Sequence, residues 1–171
     1  MAFQQDADGA ITGFVIDGFG VMQFYKAPFY ETAAFSAALV GFSVLIFIGV
    51  FLRLGYQFAA LRNLVVAEKN AFLASLVVAA ANLLFLICVS IGVSPGLIEL
   101  MYELPRLLKF SLLFTILAAI AALYHSYSCV QVWRQGLLAN NWARTRYSVV
   151  TLCALLMVWF YYYWNLLGFN Y

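Results

Sequence analysis

The sequence predicts an all-α membrane protein: four transmembrane helices in a bundle, preceded by a short N-terminal extracytoplasmic β-hairpin-like segment. Three observations carry this expectation. Of the 171 residues, 66% are hydrophobic and only 9% charged, whereas a soluble domain carries about 25% charged residues. The apolar residues gather in four runs, each long enough to cross ~30 Å of hydrocarbon at ~1.5 Å rise per residue. The charges stand between those runs and not deep inside them.

Residues 1–30 read as the β-like segment and 31–171 as the membrane domain. Asp8-Gly9 is a turn signal before the β-rich run Ile11 to Ile16, and Asp17-Gly18 is a second one before Val21 to Tyr25. One or two hairpins follow from this pattern. An isolated hairpin is marginal in water, so the segment asks for a sheet edge to join in a partner. Phe14, Ile16, Phe24 and Tyr25 are the side chains expected to make that contact. Asp6 and Asp8 resemble the start of a calcium loop, but Ala10 stands at its fifth position and the closing Glu is absent. A turn is the simpler reading.

The helices follow in order. Phe29 and Tyr30 supply an interfacial aromatic patch, and Thr32 a helix cap. The first span is expected at 33–52. Arg53, Arg62 and Lys69 mark the connector to the second, 71–93, which Ser94-Pro95-Gly96 ends. Leu97 to Leu104 reads as a short amphipathic piece in which Glu99 and Glu103 share a face, a pair better explained as a solvated surface than as catalytic carboxylates. Pro105 opens the third span, 107–133. A loop with Arg134, Asn140, Asn141, Trp142, Arg144 and Arg146 leads to the fourth, 147–167. That run ends in aromatic residues, Trp159 to Trp164, whose rings favour the headgroup boundary. Trp159, Tyr163 and Trp164 are therefore candidate contacts to neighbouring subunits.

Charge sets the threading. The first-to-second and third-to-fourth connections hold Arg53, Arg62, Lys69, Arg134, Arg144 and Arg146, while the opposite side holds Lys26, Arg106 and Lys109. Basic loops stay in the cytoplasm, which places both termini on the periplasmic side of an inner membrane. The acids agree, with Glu68 the exception. No basic start followed by an apolar run opens the chain, so targeting is expected from the first span or from sequence upstream.

Polar residues inside apolar spans are the usual functional suspects. Asn82 sits in mid-span and reads as an interhelical hydrogen bonder. His125 is the only histidine. It could ligate the magnesium of a chlorophyll-type pigment, or a haem whose second ligand comes from elsewhere, or it could bond a neighbouring helix. Cys88, Cys129 and Cys153 all fall in apolar spans at spacings that match no metal site. The net charge of +2, with basic residues spread over helix ends, excludes a nucleic-acid surface. The absence of deep charges and of paired broken spans disfavours pumps and transporters.

Two stretches carry a resemblance. ARTRYSVVTLCALLMVWFYYYWNLLGF resembles the last membrane helix of bacterial β-lactamase-related serine hydrolases, with Arg146 where a histidine is usual. DADGAITGFVIDGFGVMQFYKAPFYET is similar to the final hairpin of their small β domain and its link into the membrane. The resemblance implies a C-terminal membrane region of such a protein. It implies no activity, because no Ser is followed three residues later by Lys, and Tyr163-Trp164-Asn165 stands without its catalytic partners.

The expected function is thus a non-catalytic membrane module without cofactor, an accessory or stabilising subunit of a larger respiratory or photosynthetic complex. Its partners would be other membrane subunits and the lipid bilayer. The alternatives are the anchor half of a split or truncated serine hydrolase, and a pigment or haem binder through His125.

Overall fold

The computed structural model describes residues 2–5, 7, 9, 11–15, 23–61, 65–94, 105–138 and 140–167. Ile16, the Asp17-Gly18 turn, Asp6, Asp8, Arg62, Pro95-Gly96 and the Glu99/Glu103 piece lie outside them. The chain divides into two compact units, Met1–Ala38 and Leu39–Tyr171.

The first unit is a three-stranded antiparallel meander, β1 (Ala2–Gln5), β2 (Ile11–Val15) and β3 (Gln23–Tyr25), in the order β1-β2-β3. Two of these strands were expected. β1 adds a third, because Ala2 to Gln5 gains ladder bonds only once β2 lies beside it. Gly9 takes the left-handed conformation (φ 79°) that the β1–β2 connection requires. Phe3 pairs with Phe14, and Phe14 with Phe24. A single 3-10 turn, Phe29–Glu31, then leads to α1 (Ala33–Leu61). Thr32 caps that helix as expected: its Oγ1 accepts from Phe35 N at 3.3 Å.

The second unit holds the rest of α1, then α2 (Val66–Gly92), α3 (Arg106–Arg134) and α4 (Asn141–Tyr163). The protein is mostly helical. Among the described residues, three helices are long and apolar enough to cross a membrane: Ala33–Tyr56, Val66–Gly92 and Arg106–Arg134. The chain is therefore a multi-pass membrane protein. α4 is present but falls short by hydropathy, since its first turns carry Asn141, Arg144 and Arg146, and its last carry tyrosines and tryptophan. α1 continues nine residues beyond the expected end at 52, so Arg53 belongs to the helix and not to a connector. A helix satisfies its own backbone groups, and Gly55 and Tyr56 do nothing to stop it.

Buried positions recur with heptad spacing. On α3 they are Ser111, Thr115, Ala118, Ala122, His125 and Val132; on α4, Ala143, Tyr147, Val150, Ala154, Met157 and Tyr161. A repeat of four and three residues keeps one seam facing a neighbour along the whole helix. α2 and α3 approach most closely, and the reason is size: Ala71, Ala74, Ser75, Ala79 and Ala81 of α2 and Ala118, Ala121 and Ala122 of α3 are all buried. Small side chains let backbones approach where lipid supplies no hydrophobic drive between helices. α1 joins the interior through longer side chains, Phe47 and Val50, without comparably close backbone contact.

The helix ends are closed by local bonds. α3 ends on Gly136 (φ 66°), with Leu137 N donating to Val132 O at 3.1 Å. α4 ends on Asn165 (φ 53°), with Leu166 N donating to Tyr161 O at 2.7 Å and Asn165 N to Tyr162 O at 3.1 Å. Both follow the Schellman pattern. The fourth helix therefore starts and stops about five residues before the expected 147–167, because Asn140 caps its start (Ala143 N to Asn140 Oδ1, 2.8 Å) and Asn165 terminates it. Between α3 and α4, Arg144 donates to Leu137 O at 3.0 Å and to Gly136 O at 2.7 Å, while Glu68 of α2 accepts from Leu138 N at 3.1 Å. This arginine thus secures a loop as well as contributing to the basic side.

One contact gives a sharp test of the seam. A Cβ at Gly92 would lie 2.7 Å from Leu108 Cγ, whereas one at Gly41 meets nothing within 4 Å. Gly92→Val should destabilise the protein by roughly 1–3 kcal/mol through overpacking, and Gly41→Ala should be neutral or slightly stabilising. Thermal unfolding in detergent measures both.

Candidate functional site: polar pairs inside and aromatic ladders outside

The heptad seams carry polar side chains into an apolar interior, where each must find a partner. Contacts Ser75–His125 and Gly92–Leu108 make α2 and α3 antiparallel, and His125–Thr151 with Thr115–Leu166 do the same for α3 and α4. Residues far apart in sequence are thereby brought into three polar layers.

His125 occupies the first layer and is fully buried. Ser75 Oγ lies 2.9 Å from its Nε2, and Thr151 Oγ1 lies 2.9 Å from its Nδ1. Each hydroxyl also reaches a carbonyl of its own helix, Ala71 O at 3.3 Å and Tyr147 O at 3.1 Å. In a neutral imidazole one nitrogen donates and the other accepts. The hydroxyl facing the ring N–H accepts from it and donates its own hydrogen bond to its helix carbonyl, and the other hydroxyl donates to the ring. Either tautomer is fully satisfied. Tyr147 stacks on the imidazole at 4.2 Å between centroids, with 16° between planes. A haem or chlorophyll metal needs an unoccupied ring nitrogen, so the residues present do not fit such a group. The arrangement chains three helices together.

The second layer is Asn82 with Tyr161. The Tyr161 hydroxyl donates to Asn82 Oδ1 at 2.7 Å, and Asn82 Nδ2 donates to Val78 O at 2.8 Å. The Tyr161 ring meets Phe85 edge-on at 4.9 Å. In the third layer Thr115 Oγ1 donates to Leu166 O at 2.8 Å, which ties the chain after α4 back to α3. Asn82 and His125 were legible as polar anomalies. Ser75, Thr115, Thr151 and Tyr161 were not singled out; Thr115 and Tyr161 fall on the heptad seams of their helices, and that register was the signal.

The other candidate residues form two aromatic groups on separate units. On the meander, Phe3, Phe14 and Phe24 make a ladder across all three strands. Phe14 and Phe24 stack at 4.9 Å and 10°, and Phe3 tilts against Phe14 at 6.5 Å. Phe3 and Phe24 remain exposed, at 59% and 41%. Tyr25, one residue along β3, alternates to the other face, where it pairs with Gly13. Ile16 lies outside the described residues. Phe3 was missed because its strand could not be recognised alone. At the end of α4, Trp159 stacks on Tyr163 at 5.5 Å, and Tyr163 and Phe160 both contact Trp164. Trp159 and Trp164 are exposed.

No protein family, curated protein or solved structure matches the chain. The resemblance of its two ends to β-lactamase-related hydrolases rests on the sequence motifs alone.

The Asn82–Tyr161 bond has a measurable strength. Tyr161→Phe should cost roughly 0.6–1.7 kcal/mol, between the mean and the maximum for interhelical bonds in membrane proteins, because it leaves Asn82 Oδ1 without a donor. In an Asn82→Leu background the same change should cost markedly less. A double-mutant cycle in detergent or bicelles measures the coupling.

Proposed function

We propose that this chain is a non-catalytic membrane module: four transmembrane helices, with both termini on the periplasmic side of an inner membrane, anchoring or stabilising a larger membrane complex. The observation that carries the reading is the Phe3–Phe14–Phe24 ladder. Three short strands bury little by themselves, and β1 and β3 are the outer strands of the meander. An exposed aromatic ladder on such a sheet suits docking to a partner by face or by edge. The interior supports a structural role as well, since Ser75, His125, Thr151, Asn82 and Tyr161 bond one another across helices.

α4 is read as a fourth span for three reasons. Its 23 residues reach about 35 Å at ~1.5 Å per residue. Its seam is buried against α2 and α3. Its basic start and aromatic end fit opposite membrane boundaries. The same meander supports a second reading, the membrane anchor of a serine hydrolase whose catalytic part is separately encoded. A serine-hydrolase activity probe that labels a co-purifying protein would select it.

Two measurements test the proposal. A phosphatase reporter fused after Tyr171 should be active in the periplasm, and one fused in the α3–α4 loop inactive; an inactive C-terminal fusion would leave only three spans. After mild-detergent purification from native membranes, the protein should bring down membrane subunits in fixed ratio. Phe14→Asp should abolish that co-purification while the helical domain stays monodisperse. Unchanged recovery of partners would remove the meander from the interface.

A further inference from the structure

An apolar cleft of about 410 Å3 lies between α1, α2 and α4, within the ~300–1,000 Å3 of small-molecule sites. Its trough exists because Gly49 contributes no side chain: a Cβ there would meet nothing within 4 Å. Leu45, Ile46, Val50, Val149 and Val150 form the walls. From Leu45 to Arg53 the trough follows α1 for about 12 Å at ~1.5 Å per residue.

One end of the cleft has a different chemistry. Arg53 of α1 and Arg146 of α4 both line it, together with Trp142 and Phe72. Each guanidinium is seated over a ring, Arg53 at 5.7 Å from the Phe72 centroid and Arg146 at 5.7 Å from that of Trp142. Both cationic side chains stand at the same end of the cleft. Two cationic side chains at the mouth of an apolar trough suit an anion that also brings an apolar tail. Guanidinium matches phosphate through two parallel hydrogen bonds. Basic pockets between transmembrane helices bind anionic lipid headgroups.

We propose that this cleft binds a phospholipid with an anionic headgroup, its phosphate held by Arg53 and Arg146 and one acyl chain laid along the trough past Gly49. The site is independent of the docking role of the meander, and needs only that the helices lie in a membrane.

The test is a lipid titration of the full chain in mild detergent, read by native mass spectrometry. The probes are phosphatidylglycerol and phosphatidylcholine with the same acyl chains. One phosphatidylglycerol should be retained about tenfold more than phosphatidylcholine, the order expected from one or two charge-assisted hydrogen bonds. Arg53→Gln with Arg146→Gln should erase the preference, and Arg134→Gln, an exposed cation at the end of α3 that does not line the cleft, should keep it. Gly49→Phe should lower retention of both lipids by filling the trough. If the double variant does not fold, Arg146→Gln alone provides the readout, since that side chain is exposed and its loss should still weaken the preference several-fold. Equal retention of both lipids by the unaltered protein, or a preference that survives loss of the arginines, would overturn the assignment. Inorganic phosphate that displaces phosphatidylglycerol at equal concentration would overturn it too, by pointing to a free anion.

Discussion

The close approach of α2 and α3 is the constraint from which the helical unit follows. In lipid the helices gain nothing by hiding apolar surface from water, so packing distance decides how much dispersion and hydrogen bonding they share. Alanines and serines along both helices allow that distance to be short. The same closeness puts Ser75 within reach of His125, which fixes the axial register of the pair. Gly92 closes the far end against Leu108. A one-turn slip would separate each of these partners and leave their polar atoms facing hydrocarbon.

α4 is held to this pair by polar groups at three depths. Thr151 takes the second nitrogen of His125, Tyr161 meets Asn82, and Thr115 anchors the carbonyl of Leu166 beyond the Asn165 turn. Each bond is modest, yet each unmade partner would be expensive in an apolar interior. The histidine is thus a joint between three helices. Its burial and its two hydroxyl partners account for a residue that, seen alone in a membrane span, suggests a metal ligand.

α1 behaves differently because its interior contacts are made by large side chains. Phe47 and Val50 reach the common interior, while the glycine at 49 leaves a trough beside them. The arginines at the basic end face that trough across Phe72 and Trp142. The meander is organised by another rule, the alternation of a strand, which collects Phe3, Phe14 and Phe24 on one side of the sheet.

Composition and spacing by themselves determined that the chain lives in a membrane, that it holds four long helices though not where the first ends or the fourth begins and ends, the Thr32 cap and the strands after Gly9. These are local or bulk properties: hydropathy summed over ~20 residues, turn chemistry and capping depend only on near neighbours. Asn82 and His125 were visible as polar residues out of place, and Phe14 and Phe24 as aromatics on a strand. Only tertiary structure decided their partners. Ser75 lies fifty residues from His125, Tyr161 seventy-nine from Asn82, and Arg53 and Arg146 converge from different helices. Helix register and separation depend on the summed fit of many small side chains across a seam, and no local pattern in one helix contains the face of another.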